Sequence, residues 1–98
     1  MSITWSAEAR KSLRSIQKFI AQDSEFYAAR MVARIIERVE HASLSPAQGH
    51  PVHEYPEAPL REVHESPYRI IYDFSEKELR VVTIVHFKQQ LAKKSRIG

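Results

Sequence analysis

Cysteine is absent from the 98-residue chain, so neither a disulfide framework nor thiolate chemistry is available, which suits a reducing cytoplasm. Glycine occurs only twice, which excludes a glycine-rich phosphate loop. Apolar runs extend over a few residues only, too short for a transmembrane helix. The N-terminal MSITWSAEAR has no charged segment followed by an apolar one, so no secretory signal is expected. The excess of charge of one sign is also small. Fifteen Lys and Arg stand against 12 Asp and Glu, a formal +3 that permits an anionic partner without demanding one. No Ser-His-Asp arrangement, internal repeat or low-complexity segment stands out.

What is present describes an ordinary globular chain, with 43% hydrophobic and 28% charged residues. The length fits one domain spanning residues 1–98 and allows only a modest core. Met1 to Trp5 reads as a short strand, with Ile3 and Trp5 alternating with polar neighbours. Ser6 stands where a helix N-cap belongs, and Glu8 places negative charge in the first turn. Ala9, Leu13, Ile16 and Ile20 then recur at helical spacing, with Arg10, Arg14 and Lys18 on the opposite face. Gln22-Asp23-Ser24 interrupts the pattern and supplies a second cap. A second helix is expected from about Glu25 to Ser43, with Ala29, Val32, Ala33, Ile36 and Val39 buried and Arg30, Arg34 and Arg38 on the far side. So short a break implies an antiparallel helical hairpin.

Ser45 to Pro59 holds four of the five prolines together with Gly49 and reads as a loop. The period then becomes two. Leu60–Glu65, Tyr68–Phe74 and Leu79–Phe87 are expected strands, separated by turns at Ser66-Pro67 and Ser75–Glu78, and RVVTIV is the strongest β signal. From Lys88 a short helix is expected before the chain frays. The expected fold is α+β, in the order β-α-α-β-β-β: a short N-terminal strand and a helical hairpin packed on one face of a small, mainly antiparallel sheet.

Simple hairpin registers put His64 and Ile84 on either side of Arg69, with His86 two residues further along the same face and Lys88 following. Arg69, His64, His86 and Lys88 would then share the face turned from the helices. Such a set can stabilise an anion and exchange a proton near neutral pH, as RNA cleavage or anion binding requires. An ordinary polar sheet surface explains the same residues, as it does an Asp73–Arg80 cross-strand pair. His41, His50 and His53 give no assured metal geometry in a proline-rich loop, so no metal or cofactor is expected. Glu54 and Glu57 are a weak acid–base pair, since nothing in the sequence raises either pKa.

Taken in order, Ala9 and Leu13, Pro46 and Gly49, Leu60-Arg61-Glu62, Tyr68-Arg69-Ile70-Ile71-Tyr72 and Val85-His86 resemble the RelE/ParE superfamily of toxins from type II toxin–antitoxin systems, also described as plasmid stabilisation proteins. The resemblance covers nearly the whole chain. It implies a helical hairpin on a small sheet and a cognate antitoxin that neutralises the toxin in a hetero-oligomer, with growth arrest when the toxin is free.

The superfamily divides by target. RelE-like members are ribosome-dependent mRNA endonucleases, and in that branch Arg69, His86 and Lys88 would be the catalytic set. The tail KQQLAKKSRIG contains no tyrosine, so that set is incomplete. ParE-like members inhibit DNA gyrase and lack it, and the long helices and missing tyrosine lean that way. The resemblance therefore implies a cytoplasmic, ParE-like gyrase inhibitor, with a RelE-like mRNA interferase as the alternative. Arg61 and His64 are candidate contacts for target or antitoxin, as are Lys93, Lys94 and Arg96 in a tail (about 88–98) that carries no acidic residue. A frayed, solubilising terminus explains the tail equally well.

Overall fold

The computed structural model describes residues 1–89 and 91. Strand β1 (Ser2–Trp5) is followed by helix α1 (Ala7–Ala21) and helix α2 (Glu25–Ala42). Ser6 caps α1 by accepting the Ala9 N–H at 2.9 Å, while its own hydroxyl donates to the Val82 carbonyl at 2.7 Å. One side chain thus starts the helix and ties it to the last strand. Ser24 caps α2 by accepting from Tyr27 N–H at 3.1 Å.

Where a plain loop is expected, the proline-rich stretch contains a 3-10 turn (Pro46–Gln48) and a two-residue strand, β2 (His50–Pro51). Strands β3 (Arg61–Glu65), β4 (Tyr68–Phe74) and β5 (Glu78–His86) form the meander. The sheet order is β1-β5-β4-β3-β2, with β1 parallel to β5 and the other pairs antiparallel. β5 therefore has a strand on each side, which accounts for its β-branched, nearly continuous apolar run.

The core lies between the hairpin and one sheet face. Ala9, Ile16, Ile35 and Val39 meet Ile70, Tyr72, Leu79, Val81 and Ile84 there. Each fully buried aliphatic side chain stabilises the fold by roughly 1.5–3 kcal/mol.

Three expectations are corrected. On α2 the buried residues are Ala28, Ile35, Val39 and Ala42, whereas Ala29 and Ala33 are exposed and Ile36 is 37% exposed. The helix carries two adjacent apolar stripes, and the sheet takes the one that sequence spacing did not favour. Arg38 is not on the far side; it is half-buried and donates from Nε to the His64 carbonyl at 3.2 Å. After β5, residues 87–89 form a turn instead of opening a helix.

A fourth correction concerns the site. Asp73 pairs with Arg80 and Tyr72 with Val81, as a simple hairpin requires, but Ile71 then pairs with Thr83, leaving Val82 as an extra residue. This bulge shifts the register by one. Arg69 lies opposite Val85 instead of Ile84, and His86 opposite Tyr68. A one-residue slip exchanges the faces of the side chains beyond it.

Candidate functional site

Arg69 projects from β4 on the face turned from the helices, yet it is only 6% exposed. The segment after β2 folds over that face and brings Glu54 to it. Glu62 comes from β3, two residues before His64. Arg69 donates from Nη1 and Nη2 to the two Glu54 carboxylate oxygens, each at 2.8 Å. It also donates from Nη2 to Glu62 Oε1 at 2.6 Å and from Nε to the same oxygen at 3.0 Å. Nη1 reaches the Gln89 carbonyl at 3.5 Å as well. Buried charges persist only when paired and hydrogen-bonded, and here the guanidinium donors are consumed within the protein.

The electrostatics follow the geometry. The hydrogen bonds from Arg69 overcome burial and push the Glu54 carboxyl down to about 2. At Glu62 burial acts to raise the pKa, but the bonds from Arg69 and His64 prevail and it is lowered. The two carboxylates in turn raise the pKa of Arg69. Imidazoles flank the triad: His64 Nε2 lies 2.7 Å from Glu62 Oε2, and His53 Nδ1 lies 3.3 Å from Glu54 Oε1. The His64 ring stacks on His50 with centroids 5.3 Å apart and meets Phe87 edge-on at 5.2 Å. The guanidinium is buried with its two carboxylates, so it is not free to meet an incoming phosphate.

The structure thus brings Arg69 and His64 together through Glu62 and separates His86 from them. His86 packs edge-on against the Tyr68 ring at 5.7 Å, and its Nδ1 accepts the Lys88 backbone N–H at 3.0 Å. The Lys88 residue is exposed. Arg61 donates from Nη1 to the Gly49 carbonyl at 3.3 Å, a link between sheet and loop. Lys93, Lys94 and Arg96 lie outside the described residues. Sequence reasoning weighed Glu54 only as a weak acid–base partner of Glu57 and placed neither Glu54 nor Glu62 at Arg69. Glu62 was detectable, since alternation along β3 places it on the His64 face. Glu54 comes from a loop that gives no register.

A second feature lies on the hairpin. Ile3, Trp5, Leu13, Val32 and Ile36 line an open apolar groove beside β1, rimmed by Arg10, Arg14 and Gln17. β1 is an edge strand, so one side of its backbone is unpaired by the sheet.

A helical hairpin on a five-stranded sheet of this order is the fold of toxins from type II toxin–antitoxin systems. Similar solved structures include the chromosomal ParDE system of P. aeruginosa (TM-score 0.71, 22% identity, covering 88% of this chain and 95% of the other). The RelBE2 toxin–antitoxin complex of Mycobacterium tuberculosis is also similar (0.66, 17%, 87% and 88%). So is the YoeB/ParE toxin of Agrobacterium tumefaciens (0.62, 19%, 88% and 98%). In sequence, the chain is 33% identical over 90 residues to Y4kP of Sinorhizobium fredii (strain NBRC 101917 / NGR234), named as a candidate toxin, covering 90% of each chain. Residues 3–91 match the family described as the ParE toxin of the type II toxin–antitoxin system parDE, and the chain belongs to that family.

Proposed function

We propose that this toxin acts as a ParE-like inhibitor of DNA gyrase, arrests growth when free, and is neutralised by a cognate antitoxin seated in the groove beside β1. The observation that carries the gyrase reading is the buried Glu54–Arg69–Glu62 triad. An endonuclease needs a cation free to meet the scissile phosphate and an acid or base beside it. Here Arg69 is committed to two carboxylates and His86 stands on the opposite sheet face, so the exposed Lys88 is left without the guanidinium and the acid or base that the set requires beside it. Glu54, Arg69 and Glu62 are instead a structural clamp that joins loop to sheet.

The groove supports the antitoxin half. Its apolar floor, basic rim and outer strand edge, where Arg10 Nη1 already donates to the Trp5 carbonyl at 2.7 Å, suit an extended or amphipathic segment bearing carboxylates. Primer extension on transcripts after induction tests the target. The gyrase reading expects intact messages and halted DNA replication. Codon-specific cuts, lost in Arg69→Ala but kept in a variant of equal instability elsewhere, would favour the mRNA endonuclease.

A further inference from the structure

The tip of the hairpin carries large side chains that the fold does not use. Phe26 is 64% exposed and Tyr27 63% exposed. They border a hollow with Ile20, Arg30, Met31 and Arg34. The rings of Phe26 and Tyr27 meet edge-on with centroids 5.4 Å apart, and the Arg30 guanidinium lies 5.7 Å from the Phe26 centroid. The aromatic rings thus pack on each other and on Arg30, a contact that restricts their rotamers and reduces the entropy lost on docking. Along α2, helical spacing puts Tyr27, Arg30, Met31 and Arg34 on the flank opposite Ala29, Val32, Ala33 and Ile36. This patch and the groove beside β1 lie on different sides of one helix.

Exposed contiguous apolar surface marks interaction sites, and Phe, Tyr, Met and Arg are the residues enriched at protein interfaces. Among the described residues neither Arg30 nor Arg34 has an ion-pair partner. A floor of Ile20 and Met31 offers nothing to a phosphate backbone, and Glu37, which lines a neighbouring hollow with Arg30 and Arg34, would repel one. A toxin that one protein restrains while it acts on another has use for a second surface beside the antitoxin groove. We propose that this patch grips the toxin's protein target, an apolar surface bearing carboxylates opposite Arg30 and Arg34, while the groove on the other flank serves the antitoxin. The assignment rests on the toxin reading above.

Two paired variants test it: Phe26→Ser with Tyr27→Ser, and Arg30→Glu with Arg34→Glu. Both pairs are on the surface, so melting temperature and circular dichroism should stay near wild type. Each pair is expected to reduce growth arrest on induction by about thirtyfold in the toxin level required, with antitoxin affinity in calorimetry unchanged. Pairs that arrest growth as strongly as wild type overturn the proposal. So does a parallel loss of antitoxin affinity, which would place the patch in that interface. Tip-dependent binding of wild type to a DNA or RNA oligonucleotide overturns it in favour of a nucleic-acid surface. An unmodified chain that does not arrest growth overturns both the toxin reading and the patch. If wild type arrests growth without slowing purified gyrase, the gyrase reading fails, and the growth readout still decides the patch.

Discussion

Arg69 and Glu54 form a two-pronged pair, Nη1 to Oε2 and Nη2 to Oε1 both at 2.8 Å, with side chains 7% and 1% exposed. The pair joins a loop residue to the centre of a strand, and Glu62 completes it from the neighbouring strand. Removing the guanidinium alone leaves two buried carboxylates without their cation. Arg69→Ala should therefore lower stability by about 3–5 kcal/mol in urea unfolding. Arg69→Met combined with Glu54→Gln and Glu62→Gln should recover most of that loss, because no unpaired charge remains. If the single variant were as stable as wild type, the clamp would not be structural.

Acid should release the same clamp. Glu54 is held at about 2 against an ordinary 4.5, so folding favours its ionised form. The resulting stability is fully present above about pH 4.5 and is lost as pH falls toward 2. Glu62, also lowered, acts in the same direction. Melting temperature measured from pH 6 down to pH 2 should fall, and Glu54→Gln should flatten the lower part of that curve while starting from a lower value at pH 6.

Gly49 and Tyr72 explain why a glycine stands in the proline-rich loop. Tyr72 donates its hydroxyl to the Pro46 carbonyl at 2.6 Å, and a Cβ at Gly49 would run into that hydroxyl. Gly49→Ala should destabilise the fold by roughly 1–3 kcal/mol. Tyr72→Phe loses a hydrogen bond worth about 1 kcal/mol but removes the obstructing oxygen. The double variant should therefore lose less than the sum of the two, which a double-mutant cycle in denaturant measures. Additive losses would mean that the two groups do not meet.

The groove beside β1 makes its own prediction. Leu13 and Val32 are half-buried and Ile36 is exposed, so Ile36→Glu should change melting temperature little. In calorimetry with the antitoxin, Ile36→Glu should weaken binding at least about tenfold, as for a central apolar contact. Wild-type affinity in that variant would move the antitoxin to another surface.

Most of the fold was legible in the sequence, because caps and periodicity are local. Ser6 and Ser24 announce both helices, and the change from helical to alternating spacing after Pro59 announces the meander. The chain does not announce the bulge at Val82. A run of β-branched residues reads the same with or without an extra residue, yet the bulge decides which face His86 occupies. α2 misled for a different reason: it bears one apolar stripe for the core and another that the core leaves exposed, and spacing alone ranks neither. The clamp was half visible, since Glu62 shares a face with His64 by alternation, while Glu54 reaches Arg69 only through the path of a loop.

A toxin that acts on gyrase, with Arg69 holding the fold together and not cutting RNA, should reveal itself in one assay. Supercoiling of relaxed plasmid by purified gyrase, with toxin titrated in and antitoxin then added, tests it most directly. Supercoiling should fall with increasing toxin, recover on adding antitoxin, and be inhibited equally by the refolded Glu54→Gln, Glu62→Gln, Arg69→Met variant. Undiminished supercoiling at excess toxin, alongside transcript cleavage in a translation extract, would contradict it.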